Sequence, residues 1–326
     1  MLTLTVATGR YDRTQPLHDG RVRPEGVTVN WLTLNEEEIF WRMQRHLEFD
    51  ASELSLSGYI IRLDRGQRDL IGIPVFPSRA FRHSSIYVNA KAGIREPKDL
   101  IGKRVGVPEY QMTATVWIRG ILAEHYGVPV DSVTYFTGGE EEPGRPEKQK
   151  LELPENIKVV PIPRDKTLAQ MLAAGDIDAF HTSRMPSTHD GRKVVRLFAD
   201  FVEVERAYYN KTGVFPIMHT IAVRRELYER HRWIAQSLYK AFLEAQRRTY
   251  LDLKQCNMLQ AMVPWLHAHV EEAVRDMGED YWPYGLESNR NTLQTFLRYH
   301  HEQGLSKRLL KPEDLFAPET LESFKV

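Results

Sequence analysis

The stretch Pro97–Pro108, PKDLIGKRVGVP, followed by Glu109–Thr113, EYQMT, decides how the chain is read. Its first part reads as a short helical turn followed by a strand. EYQMT then opens a long amphipathic helix through Val116, Ile118, Ile121, Leu122 and Tyr126, and Gly127 stands in the position of a helix C-cap. Strand, polar loop and helix in that order form the repeating unit of an α/β sheet. The N-terminus carries the same unit: Leu2–Ala7 alternates like a strand and ends at Thr8-Gly9-Arg10-Tyr11-Asp12-Arg13, the loop where an open α/β sheet places ligand contacts.

Working outward, Val27–Leu34 reads as a second strand. Asn35 follows as an N-cap, three glutamates complement the helix dipole, and Ile39, Phe40, Met43 and Leu47 mark one helical face. In FDASELSLSGYIIRLDRG a short strand leads through Ser55 and Ser57 into another helix; hydroxyls at a helix start suit a carboxylate, although serine there is more often only a cap. Val133–Phe136 is a strand that runs into TGGEEEPGRPEKQKLELPEN, about twenty residues that read as a lid, an oligomer contact or a mobile loop. Ile157–Ile162 is a strand, Thr167–Ala174 a helix stopped by Gly175, and Ile177–His181 a strand ending in Thr182-Ser183-Arg184-Met185-Pro186. After one more strand, Met218–Val223, the chain is nearly all helical, with Trp233, Ile234, Leu238, Phe242 and Leu243 as a stripe.

Between these units lies Pro74–Asn89, PVFPSRAFRHSSIYVN. A strand run (Leu70, Ile71, Ile73, Val75) enters it and another (Ile86, Tyr87, Val88) leaves it, while Pro74 and Pro77 remove ladder donors. Arg79, Arg82 and His83 therefore belong to a shaped loop at a sheet end, and the interleaved Phe76 and Phe81 set it apart from a solvated surface loop.

Lys plus Arg (44) balances Asp plus Glu (44), so no global field recruits nucleic acid or an anionic membrane surface, and any anion selectivity is local. Cys256 is the single cysteine, which excludes an internal disulfide and a cysteine-cluster zinc site; its helical context suits a buried, inert thiol in a reducing compartment. The N-terminus reaches Arg10 before any long apolar run, so it reads as neither signal peptide nor membrane span, and a cytoplasmic protein is expected. His267/His269 and His300/His301 lack the i, i+4 spacing of a helical metal pair, and there is no GxGxxG, P-loop or GxSxG. No cofactor is called for. A divalent metal on His83, His219 and nearby carboxylates stays as a rival reading without ligand spacing to demand it.

Two α/β lobes with a helical C-terminus resemble the type II periplasmic-binding-protein fold over the whole chain, on the phrase GIREPKDLIGKRVGVP (93–108). The resemblance implies two mixed sheets flanked by helices and two hinge crossings, with lobe I at 1–91 plus 216–326 and lobe II at 92–215. YDRTQPL, EEIFWRM, PVFPSRAFRHSSIYVN, GKRVGVPEYQMTA and GGEEEPGR, in this order, resemble the 4,5-dihydroxyphthalate decarboxylase family. That family implies non-oxidative loss of CO2 from an aromatic diacid to give protocatechuate. A homo-oligomer is expected, and a solute-binding protein for an aromatic or sulfonated anion is the alternative.

For such chemistry an interlobe cleft is expected to present Arg10, Arg13, Arg79, Arg82 and Arg184, whose guanidinium forks grip carboxylates. Two or three of these touch ligand, and the rest pair with Asp12, Glu53 or Glu109. His83 and His219 are the candidates for proton transfer, with Glu109 as a further acid. Tyr110, Gln111 and Thr113, at a helix start, would hold the remaining carboxylate or the catechol oxygens, with Asp12, Ser55 and Ser57 completing the substrate contacts.

Overall fold

The computed structural model describes residues 2–145, 147 and 149–322. Eleven strands follow one another along the chain: β1 (Leu2–Thr8), β2 (Val27–Thr33), β3 (Ala51–Ser55), β4 (Leu70–Ile73), β5 (Ile86–Asn89), β6 (Arg104–Val107), β7 (Thr134–Thr137), β8 (Lys158–Pro161), β9 (Ala179–His181), β10 (Val194–Arg196) and β11 (His219–Arg224). They form two mixed sheets in two compact units.

The first unit comprises Met1–Arg79, Ile217–Leu293 and Lys311–Val326. Its sheet has the order β2-β1-β3-β11-β4, in which β2, β1 and β3 are parallel and β11 runs antiparallel between β3 and β4. Leu4, Val6, Leu54, Ile71, Ile73, Ile221 and Val223 are buried, as expected for strands covered on both faces by helices. The helix Glu36–His46 buries Ile39, Phe40 and Met43, and starts at Asn35, whose side chain accepts from the Glu37 amide at 3.0 Å. It stops at Leu47, held at φ 49° without a glycine. The C-terminal segment seals the far edge: Gly72 bridges Phe316, and a Cβ at Gly72 would lie 2.6 Å from the Leu315 carbonyl oxygen, so only glycine fits there.

The second unit comprises Ala80–Pro216 and Gln294–Leu310. Its sheet has the order β10-β5-β9-β6-β7-β8; β9, β6, β7 and β8 are parallel, and β5 runs against β9 and β10. Leu168, Met171, Leu172, Ile177 and Phe180 pack with Tyr87 and Val194 on one side. The helix Thr113–Tyr126 ends at Gly127 in the left-handed conformation, and buries Trp117 against Phe296 at 5.0 Å between ring centroids. Gly120 on that helix faces Tyr299 so closely that a Cβ would stand 2.1 Å from a ring carbon.

Among the described residues no helix is long and apolar enough to cross a membrane. The helix Trp233–Leu253 stops short of Cys256, so this thiol, expected to be buried, is exposed; its Sγ lies 2.9 Å from His267 Nε2. Among the described residues of the excursion after β7, glutamates tie the loop down: Glu140 accepts from Thr182 at 2.9 Å and Glu141 from the Ser187 amide at 2.8 Å. Pro146 and Lys148 of that stretch lie outside the described residues.

Candidate active site

In the first unit β1, β3 and β4 run one way and β11 the other, so Gly9, Ser55, Pro74 and His219 stand at one sheet edge. This is the carboxyl edge of the parallel strands, where α/β sheets bind ligands. His219 pairs in register with Ser55, the last residue of β3. Two residues back on β3, Glu53 is fully buried. Its carboxylate accepts from the Gly9 amide at 2.8 Å, from the Tyr11 hydroxyl at 2.7 Å and from His219 Nδ1 at 2.6 Å. Burial alone would raise this carboxyl's pKa, but the bond and charge of His219, with the Gly9 and Tyr11 donors, outweigh it and hold the group below the usual carboxylate range. Burial and the adjacent Glu53 push the Tyr11 phenol well up, so it stays a donor.

A carboxylate only accepts, so Nδ1 holds a proton toward Glu53, and in the neutral form of the ring it is Nε2 that carries the lone pair. Among the described residues Nε2 has no partner, the ring is partly exposed, and Phe40 packs edge-on at 4.9 Å. Gly9 is required at this turn because a Cβ would lie 2.9 Å from the Tyr11 ring.

The arginines of this edge divide. Arg10 is exposed and has no hydrogen-bond or ion-pair partner among the described residues. Arg13 is held by the Pro77 carbonyl (2.6 Å) and Asp12 (3.0 Å), with its guanidinium against the Tyr11 and Trp282 rings at 4.3 and 4.1 Å. Arg79 is buried and donates to the Pro283 carbonyl at 2.7 Å and to the Asn289 side-chain oxygen. Ser55 caps the helix Leu56–Asp64, accepting from the Gly58 amide at 3.4 Å, and Ser57 is buried within it.

In the second unit the corresponding edge follows β6. Glu109 accepts from the Gln111 side chain at 2.7 Å; the Tyr110 and Gln111 amides donate to Glu147 at 3.3 and 3.4 Å. Burial, then the charge of Glu109, push the Glu147 carboxyl up to about 7. Tyr110 is fully buried over the Arg119 guanidinium, 3.9 Å from its ring, and Arg119 also donates to the Tyr110 carbonyl at 2.6 Å. Thr113 is the first residue of the following helix. Arg184 is exposed after β9, near the Thr182–Glu140 pair.

Arg82 and His83, just before β5, are buried. Burial lowers the Arg82 pKa to about 10, with Glu205 opposing the shift; Glu205 also accepts from the Ser84 amide at 2.9 Å. The His83 ring packs against Tyr126, Phe198 and Tyr208 at 5.8, 5.3 and 5.2 Å. Burial, then His125, lower its pKa to about 4, which keeps the imidazole neutral. Neither ring nitrogen has a hydrogen-bond partner among the described residues.

Sequence reasoning left Tyr11 and Glu147 out of the site and met Glu53 only as a partner for arginines. A signal for Glu53 exists: it is an acid in the middle of the short strand ASELS, and a strand buried within a sheet does not tolerate an unpaired charge.

No protein-family model matches the chain. It is 43% identical over 327 residues to 4,5-dihydroxyphthalate decarboxylase from Comamonas testosteroni, covering 100% of this chain and 99% of that protein. To 4,5-dihydroxyphthalate decarboxylase from Pseudomonas putida it is 47% identical over 201 residues, 61% of this chain and 78% of the relative. Among solved structures, the periplasmic aliphatic sulphonate binding protein SsuA from Escherichia coli superposes with TM-score 0.52 at 13% identity, covering 100% of this chain and 96% of that one. The alkanesulfonate-binding protein SsuA from Xanthomonas axonopodis does so with TM-score 0.50 at 13% identity, covering 98% and 97%. At such identities the likeness shows the fold alone: a type II periplasmic-binding-protein-like α/β fold with two mixed sheets flanked by helices.

Proposed function

Because the chain belongs to the 4,5-dihydroxyphthalate decarboxylase family, we propose that it removes CO2 from 4,5-dihydroxyphthalate to leave protocatechuate, with His219 as the base. The observation that carries the assignment is the His219–Glu53 bond of 2.6 Å, with Nδ1 tied to a buried carboxylate and Nε2 left as an acceptor. In this substrate each carboxylate has a ring hydroxyl para to it, so the electrons for carbon protonation are available whichever one departs. Nε2 takes the para hydroxyl proton, the ring carbon bearing the leaving carboxylate takes up a proton, and CO2 departs as the ring regains aromaticity. The imidazolium then returns the phenolic proton. One proton enters from solvent per turnover, and Glu53 stabilises the transient imidazolium. Arg10, exposed at the same edge, is the arginine this reading assigns to a carboxylate. His83, neutral among aromatic rings, is left to packing in this reading.

We place the working protein in the cytoplasm as a homo-oligomer. The free thiol of Cys256 suits a reducing compartment, and Met258, Met262 and Trp265 stand exposed where a second copy would cover them.

Incubation with 4,5-dihydroxyphthalate, followed by ultraviolet absorbance, tests the reading. Wild type should form protocatechuate, and His219→Asn should still bind while kcat falls about a hundred-fold or more. Saturable binding by wild type with no spectral change would identify a receptor instead.

A further inference from the structure

The segment Asp280–Asn289 is laced onto the Pro74–Arg79 loop of the first unit. Trp282 Nε1 donates to the Phe76 carbonyl at 2.9 Å, the Gly285 amide to the Pro74 carbonyl at 2.8 Å, and Arg79 to the Pro283 carbonyl at 2.7 Å. Asn289 closes the turn by donating to the Pro283 and Gly285 carbonyls at 2.9 and 2.8 Å. The backbone on both sides of Tyr284 is therefore fixed. Its ring is buried, 5% exposed, yet its hydroxyl has no hydrogen-bond partner among the described residues. The Gly285 amide sits on Pro74, which follows β4 at the sheet edge that also carries Gly9, Ser55 and His219, so Tyr284 is pinned beside that edge.

A buried hydroxyl without an acceptor costs stability and is seldom kept without a use. A surface or packing role does not account for it, because phenylalanine would fill the same space without the penalty. Burial also pushes this phenol's pKa up, so it remains a donor at working pH.

We infer that Tyr284 is a substrate-binding residue, its hydroxyl donating a hydrogen bond to an oxygen of the bound aromatic acid. The inference rests on the decarboxylase reading above and adds a contact from the helical region beyond the last strand, where the sequence offers no loop between recognisable strands. The acceptor is either a carboxylate or a ring hydroxyl, and two probes separate these: phthalate carries only the carboxylates, and protocatechuate carries both ring hydroxyls.

The test compares wild type with Tyr284→Phe by calorimetric titration of each probe, by KM for 4,5-dihydroxyphthalate, and by thermal unfolding of the ligand-free proteins. The variant should unfold at the same or a higher temperature, while its affinity for a probe falls roughly ten- to hundred-fold, the loss expected for a hydrogen bond to a charged or strongly polar acceptor. Weakened phthalate binding identifies a carboxylate acceptor; a loss confined to protocatechuate and to KM identifies a ring hydroxyl. Affinities and KM within two-fold of wild type overturn the inference and leave the decarboxylase reading standing. So does a variant melting several degrees lower, because the hydroxyl would then be bonded inside the protein. Wild type that neither binds the probes nor turns over substrate overturns both.

Discussion

Glu53→Gln separates the fold from the chemistry. The wild-type carboxylate takes three donors: Gly9 N–H on Oε2, and Tyr11 O–H and His219 Nδ1–H on Oε1. An amide of the same shape has one acceptor end. If its oxygen faced Tyr11 and His219, its NH2 would meet the Gly9 N–H, two donors in a buried site, at a cost of about 1–3 kcal/mol. The other orientation avoids this. The oxygen takes the Gly9 amide, the NH2 donates to Tyr11 and His219, and both of those groups can turn from donor to acceptor. For His219 that means the proton moves to Nε2, and the lone pair that accepts the substrate hydroxyl proton is gone. Stability should therefore fall by only about 1–2 kcal/mol, mainly from replacing charge-assisted bonds by neutral ones. The kcat should fall about a hundred- to ten-thousand-fold, the range found when an oriented histidine is held in its wrong tautomer. Urea unfolding gives the first quantity and protocatechuate formation the second; nitrogen-15 shifts of the His219 ring report the tautomer directly. A folded variant with kcat within five-fold of wild type would refute the assignment of His219 as base.

Two further outcomes concern the second unit. His83 and His181 titrate near 4 and 3 in the folded protein instead of near 6.5, lowered by burial first and then by His125 and Arg119 respectively. On acidification the unfolded chain takes up these protons first, so stability falls from about pH 6.5 downward, by up to about 1.4 kcal/mol per pH unit for each histidine. Urea midpoints at pH 7.5, 6 and 5 should trace that loss, and His83→Phe, which keeps an aromatic among Tyr126, Phe198 and Tyr208, should reduce the slope by one histidine's share; an unchanged slope refutes it. Gly120→Ala lies inside a helix, where propensity alone gives a gain of about 1 kcal/mol. With the new Cβ 2.1 Å from Tyr299, the substitution should instead cost about 1–3 kcal/mol, and a raised melting temperature would contradict the packing described.

The sequence revealed the parts of the fold that are set locally. Asn35, Gly127 and Gly175 are caps whose chemistry acts within one turn, and each caps as expected; Thr167, read as the first helical residue, is the N-cap of its helix. Leu47 at a positive φ ends its helix without the residue that advertises such an ending. The insertion of β11 between β3 and β4 is decided by pairing across a long stretch of intervening chain, which no local pattern reports. The site divides the same way. His219 stood out because imidazole titrates near neutral pH and its place in the chain suited a sheet end; its dependence on Glu53 came only from the register that sets His219 beside Ser55. Arg13 and Arg79 were read by loop position, and the competing acceptors, Pro77, Pro283 and Asn289, became visible only with the chain folded. Tyr284 had no local signal, since a buried hydroxyl looks like any other tyrosine until its missing acceptor is noticed.

The placement of β11 also dictates a timetable for synthesis. A ribosome releases Leu70–Ile73 roughly 150 residues before it releases His219–Arg224, the strand that must lie beside them. At about 5–20 residues per second the nascent β4 edge waits on the order of ten seconds or more without its neighbour. During that interval Ala80–Pro216, which forms most of the second unit, has already emerged as one unbroken length. The half of the molecule that is translated first is thus the half that is completed last.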